Sequence, residues 1–184
     1  MKEIFDVVDE FDRVIGSAPR SEVHRGGHLH RAVHVFAFDR SGLLWLQKRS
    51  RRKDCFPRTW DSSAAGHLAR GESYEACAIR EINEELGLCV VPRLRFKLAA
   101  RAETGWEHVC VYTCRVTGTI RFDRDEIEAG GYFRFDAVAR WIDRAPRQFA
   151  PGFVKIFHEF QRRAWARETG CDCRESLAGG WDPR

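Results

Sequence analysis

Three carboxylates, Glu81, Glu84 and Glu85, crowd into five consecutive positions of the run REINEE, inside the longer stretch GHLARGESYEACAIREINEELGL. Side chains at i, i+3 and i+4 project from one side of a helix, and like charges placed there repel. Such a cluster is kept most readily where cations sit between the carboxylates, and hard oxygen donors suit Mg²⁺ or Mn²⁺. The pattern predicts a helix over about Ser73–Leu86, stopped by Gly87. Ala78, Ile79, Ile82 and Leu86 fall roughly opposite the glutamates, so the helix is expected to have a core face and an acid face. The alternative is a solvated acidic helix end, but negative charge near a helix C-terminus opposes the backbone dipole.

Residues 66–88 also carry Gly66, Glu72, Arg80, Glu81, Glu84, Glu85 and Gly87 as fixed points, with Ile82 and Leu88 as aliphatics. This spacing resembles the Nudix box without departure. The resemblance implies an α/β fold, a Nudix-type α/β/α sandwich with a central mixed sheet and the box as a loop-helix-loop. It implies Mg²⁺ or Mn²⁺ held by Glu81, Glu84 and Glu85, with the choice of base among them open. Glu72 would help bind metal or orient the others, Arg80 would clamp the glutamates, and Gly66 would let the backbone approach the metal. The expected reaction is hydrolysis of a small-molecule diphosphate, in which a nucleoside diphosphate or related group is linked to some moiety X. A homodimer is a further expectation, since dimers are frequent among Nudix proteins.

The 184 residues, 43% hydrophobic and 32% charged, suit a single domain over 1–166 followed by a polar tail, 167–184. A net charge of +4 permits an anionic substrate without indicating nucleic acid. No run of 18 apolar residues occurs. The start, MKEIFDVVDEFDR, has acids and alternation where a signal peptide would be apolar, so a cytoplasmic chain is expected. The seven cysteines, odd in number, read as reduced thiols, and Cys171 and Cys173 as an incidental pair in the tail or a metal or redox pair. IFDVVDEFDRVIG predicts a hairpin, SEVHRGGHLHR a loop, and AVHVFAF and LLWLQKR two strands. Strands follow around Thr104–Gly105 and at GGYFRF, then a short helix at DAVARWI. A last helix, about 152–166, carries a core stripe of Phe153, Ile156, Phe157, Phe160, Ala164 and Trp165.

Much of the chain, including VVDEFDRVIG, LHRAVHVFAF, LLWLQKRS, FPRTWD and GGYF, is similar to the Nudix branch related to isopentenyl-diphosphate isomerase. Those enzymes place a cysteine beside a Gly-His pair and bind metal through histidines. Here Ala65 precedes Gly66-His67, so the thiol is missing while the box is intact, which favours hydrolase over isomerase. His24, His30 and His67 fall near the isomerase's metal histidines and mark either a second metal, a polar pocket or surface residues. Glu103 and Glu107 flank the Gly105 turn near the isomerase's acid, and with Arg49 and His67 are candidate substrate-binding residues; the two glutamates are otherwise a distal metal ligand or base, or part of a solvated turn. His34, alternating into an apolar strand, is expected to be an interior hydrogen-bonded histidine. The basic run Lys48, Arg49, Arg51, Arg52 and Lys53 is either a phosphate clamp, with Arg49 foremost, or a charged loop. Phe56, Trp60, Trp106 and Phe149 are candidates to stack a base or hold a prenyl chain, or else core and rim. A catalytically idle nucleotide-binding module is the remaining alternative, disfavoured because no box glutamate is lost.

Overall fold

The computed structural model describes residues 3–168, with side chains over 3–163. Strands β1 (Ile4–Val8) and β2 (Val14–Pro19) pair as the expected antiparallel hairpin. Where a loop was expected, Arg20–Gly26 forms a short helix, α1, closed by Gly27 in the left-handed conformation at φ 62°. Its single buried residue, Val23, makes too weak a stripe to read from sequence. Strands β3 (His30–Phe38) and β4 (Leu44–Arg49) follow, joined through a turn in which Asp39 accepts from the Ser41 and Leu43 amides.

These two strands pair only where they leave their turn, at Ala37–Trp45 and Phe38–Leu44, and then diverge. The next segment fills the gap. Strand β5 (Trp60–Asp61) pairs with β4, the chain crosses at Ser62–Ser63, and β6 (Ala64–His67) pairs with β3. At the crotch the buried Ser63 hydroxyl accepts from the Ala37 amide at 2.8 Å and donates to the Trp45 carbonyl. One side chain thus satisfies two backbone groups that the divergence leaves without a strand partner.

Helix α2 (Tyr74–Leu86) comes next. The Ser73 hydroxyl caps its start by accepting from the Ala76 amide at 3.2 Å. Gly87, at φ 65°, ends it, and the Gly87 and Leu88 amides return to the Asn83 and Ile82 carbonyls. Strand β7 (Arg93–Leu98), a single 3₁₀ turn at Ala102–Thr104 and β8 (Glu107–Arg115) lead to β9 (Ile127–Phe133). Helices α3 (Phe135–Arg144) and α4 (Pro151–Glu168) complete the described chain.

The sheet is mixed: β8 runs parallel to β3, whereas β4, β6, β7 and β9 pair antiparallel to their neighbours. Period-two alternation along β3 splits its side chains between two cores. Val33, Val35 and Ala37 pack with Cys77, Ala78, Ile82 and Leu86 of α2. Ala32 and Phe36 pack with α3 and with Phe153, Ile156, Phe157 and Phe160 of α4, so helices cover both faces. The Ala164 and Trp165 part of the expected stripe lies outside the described side chains. Among the described residues no helix is long and apolar enough to cross a membrane.

The expected two-faced helix is corrected in one respect. Ile79 is 38% exposed, whereas Glu81 and Glu85 are buried beside Ala78 and Ile82. The covered face of α2 is turned toward the glutamates because β6 and the cavity beside it roof that side, leaving Ile79 at the rim. Phe153, fully buried between Phe36 and Phe149, tests the second core: Phe153→Ala is expected to cost ~3–5 kcal/mol, seen as a lower urea midpoint at unchanged slope.

Candidate functional site

Backbone and carboxylate meet closely where β6 passes α2. A Cβ added to Gly66 would lie 1.9 Å from Glu81 Oε1, so only glycine fits there. Arg80 organises the acids around this contact. Its Nε and Nη2 form a fork onto Glu72 at 2.9 Å each, and Nη1 donates to Glu81 at 2.6 Å and Glu84 at 3.1 Å. Nη2 also donates to the His67 carbonyl at 3.1 Å, tying the helix to β6. Glu85 is held separately: its Oε2 accepts from the Ala65 amide at 3.0 Å and Gln47 Nε2 at 2.9 Å.

Glu81 and Glu85 are buried, while the Glu84 side chain is 58% exposed. Burial, only partly offset by Arg80, raises the Glu81 pKa to about 7. Burial and then the neighbouring Glu81 raise Glu85 to about 8. Two carboxylates desolvated side by side favour protons or cations between them. Gln47 escaped the sequence reading, although a polar residue inside LLWLQKR is the kind of exception that marks a site. It is buried, and its Oε1 has no hydrogen-bond partner.

The three histidines expected near one another do converge. One ring nitrogen from each of His24, His30 and His67 lies within 4.8 Å of the others. His24 comes from α1, His30 from β3 and His67 from β6, and Phe5 of β1 stacks on His67 with ring centroids 5.0 Å apart. Glu107 closes the cluster, 2.9 Å from His67 Nε2 and 3.4 Å from His30 Nε2. His30 Nε2 is buried without a hydrogen bond. Burial alone would raise the Glu107 carboxyl, but the two imidazoles hold it well below the usual range. Burial, reinforced by His67 and His30, lowers His24 to about 4, leaving its own imidazole neutral and suited to a metal ion. Glu103, by contrast, is exposed on the 3₁₀ turn and lines the cavity without joining the cluster.

Both groups border one cavity of ≈ 690 Å³. The basic run around it is largely neutralised: Lys48 and Arg58 pair with Glu128, Arg52 with Asp125, and Lys53 with Glu126. Lys53 Nζ also stands 4.0 Å from Glu85 Oε1. Arg49 turns to the cavity wall, donating to Asp61 at 3.1 Å and to the Cys55 carbonyl at 3.1 Å. Of the aromatic candidates, Phe149 is core and Trp60 packs against Phe133 and Trp141. Trp106 is half exposed outside the cavity lining, and Phe56, also half exposed, remains at the rim. His34 is interior and hydrogen-bonded as expected, its Nδ1 2.7 Å from Ser62 Oγ.

The sequence profile of the NUDIX domain matches residues 28–154, well over half of the chain and all of the box. The chain belongs to the Nudix family. It is 32% identical over 160 residues to the prenyl-diphosphate phosphatase of Methanosarcina mazei, covering 83% of this chain and 94% of that protein. It is 35% identical over 133 residues to an isopentenyl-diphosphate Delta-isomerase of Mycolicibacterium vanbaalenii, covering 68% and 74% respectively. The crystal structure of DR0079 from Deinococcus radiodurans superposes with a TM-score of 0.69 at 29% identity, covering 77% of this chain and 90% of that one. The matched Nudix region begins after the hairpin and α1, so Phe5 and His24 reach the cavity from outside it.

Because Glu81 and Glu85 hold protons more tightly folded than unfolded, that stabilisation is complete at acid pH and is lost as pH rises through about 8. His24 has the opposite sign, but its window ends near its ordinary value of 6.5. The metal-free protein is therefore expected to lose thermal stability between about pH 6.5 and about pH 8.5. Glu85→Gln should flatten that slope in scanning calorimetry.

Proposed function

We propose that this Nudix protein is a divalent-metal-dependent pyrophosphohydrolase. Its substrate would be a nucleoside diphosphate linked to a moiety X, or a related organic diphosphate. The observation that carries the reading is the Gly66–Glu81 approach, with Glu81 held by Arg80, beside buried Glu85. That donor set is oxygen-only and suits Mg²⁺ or Mn²⁺, with Glu81, Glu85, Glu84, Glu72 and the Gly66 backbone as the holding groups. The chemistry such an ion supplies is neutralisation of diphosphate charge and acidification of water.

The protein's own contribution is positional. Arg80 keeps Glu72, Glu81 and Glu84 in fixed relation, and Gln47 with the Ala65 amide fixes Glu85. Glu84, on the open side of the cavity, is the carboxylate placed to accept a proton from an attacking water. The water oxygen bonds to phosphorus as the bridging P–O bond breaks, and the leaving phosphate carries away the electron pair of that bond. Arg49, anchored by Asp61 and the Cys55 carbonyl, offers its remaining donor face to phosphate oxygens.

His24, His30, His67 and Glu107 support a second site in the same cavity, either for another cation or for polar contacts to the substrate. That cluster agrees with the isomerase resemblance, and it keeps an isoprenoid-diphosphate isomerase as the second reading. The thiol chemistry argues against it. Ala65 occupies the cysteine position, and Cys77, next to the site, is buried, donates to the His67 carbonyl, and has its pKa pushed far up by burial.

Glu84→Gln and Glu85→Gln are each expected to lower Mg²⁺-dependent phosphate release ~100-fold or more while the fold is retained. Parent-like activity in both would remove the assignment. Isopentenyl diphosphate incubated with protein and metal in D₂O should recover no deuterium in the carbon skeleton, and incorporation seen by NMR would promote the isomerase reading.

A further inference from the structure

His34 and Asp61 are buried ionisable residues on the cavity wall that the hydrolytic reading leaves without a direct task. Alternation along β3 puts His34 with Ala32 and Phe36, on the face that packs against α4, away from the box helix. Both side chains are held rigidly. His34 Nδ1 is 2.7 Å from Ser62 Oγ and 3.9 Å from Asp61 Oδ1. Asp61 Oδ1 accepts from the Ser62 amide at 2.7 Å, and Oδ2 from Arg49 at 3.1 Å. Ser62 thus fixes the imidazole with its hydroxyl and the carboxylate with its amide.

His34 and Asp61 both line the cavity. Among the described residues no hydrogen bond falls on His34 Nε2, and each Asp61 oxygen accepts one, which leaves it a lone pair. Nearby, at the start of α4, Gly152 also lines the cavity, and a Cβ there would meet nothing within 4 Å. Buried polar groups ordinarily find partners, and two pinned groups beside open space call for one from a ligand. A hydroxyl is the group that fits. It donates to carboxylate and complements an imidazole nitrogen in either tautomer. A hydrocarbon chain in the same place would leave both groups unsatisfied.

Resting on the hydrolase reading and sharpening it, we infer that His34 and Asp61 form a specificity subsite for a hydroxyl-bearing moiety X, of sugar or polyol type. A site built to bond a substrate hydroxyl discriminates strongly against an analogue that lacks it, because its own polar groups are then stranded. The subsite separates this chain's expected preference from that of its relative named a prenyl-diphosphate phosphatase, whose named substrate carries an apolar chain.

The test compares ribose 5-diphosphate with pentyl diphosphate, two five-carbon compounds that differ in hydroxyl groups. Parent protein with Mg²⁺ should favour the ribose compound at least ~10-fold in kcat/KM. In His34→Leu the ratio should collapse to about one, the loss falling mainly on the ribose compound. Ser62→Ala, nearly isosteric and removing only the hydroxyl that fixes the imidazole, should move the ratio the same way if the leucine variant fails to fold. A parent ratio near one, or a ratio that neither substitution changes, overturns the subsite. If neither compound turns over, the hydrolase reading is judged separately, by Mg²⁺-dependent turnover of nucleoside and other organic diphosphates. Calorimetric Kd values for the same two compounds and variants then decide the subsite by the same ratio.

Discussion

The fork between β3 and β4 is the constraint on which the site depends. Two strands that began as a hairpin part company after two residue pairs, and an eight-residue segment, Trp60–His67, bridges the opening. Ser63 is the rivet, serving a backbone donor on one strand and an acceptor on the other. Without that hydroxyl the crotch would bury two unpaired backbone groups, a cost of roughly 1–3 kcal/mol each. With it, β6 is delivered against α2 and β5 against β4, so the box carboxylates and the His34–Asp61 wall border the same cavity.

Charge is distributed around that cavity with economy. The cations of the 48–58 loop are mostly answered by Asp125, Glu126 and Glu128, so the loop carries less free positive charge than its composition suggests. Arg80, Arg49 and Lys53 are among the cations tied to acids within the cavity wall itself. Desolvation raises the pKa of both Glu81 and Glu85, and a cation in the cavity would relieve it.

The box is legible because its chemistry is local: seven positions within 23 residues, on one helix, the strand before it and the loop residues that flank the helix. Strand-rich runs and the α4 stripe were legible for the same reason, since period two and period 3.6 are written along the chain. Ile79 was misplaced because the tilt of a helix on its sheet is a tertiary matter, settled by what β6 covers. The α1 helix was missed because one buried valine makes no periodicity. Gln47, Asp61 and Ser62 went unweighted since their meaning lies in partners up to 38 residues away, and no spacing rule connects Gln47 to Glu85. The Cys171–Cys173 expectation lies outside the described residues.

The hairpin is fastened to the body by Asp12, a non-glycine residue at φ 65°, whose carboxylate is gripped by Arg31, Tyr74 and Lys97. That clasp sits far from the carboxylates, yet the hairpin it secures brings Phe5 onto His67 and leads directly into the helix bearing His24. One member of the imidazole trio is thus on loan from a segment upstream of the matched Nudix region. Trimming the polypeptide to that region would leave a protein with the box glutamates in place and a two-histidine remnant beside them.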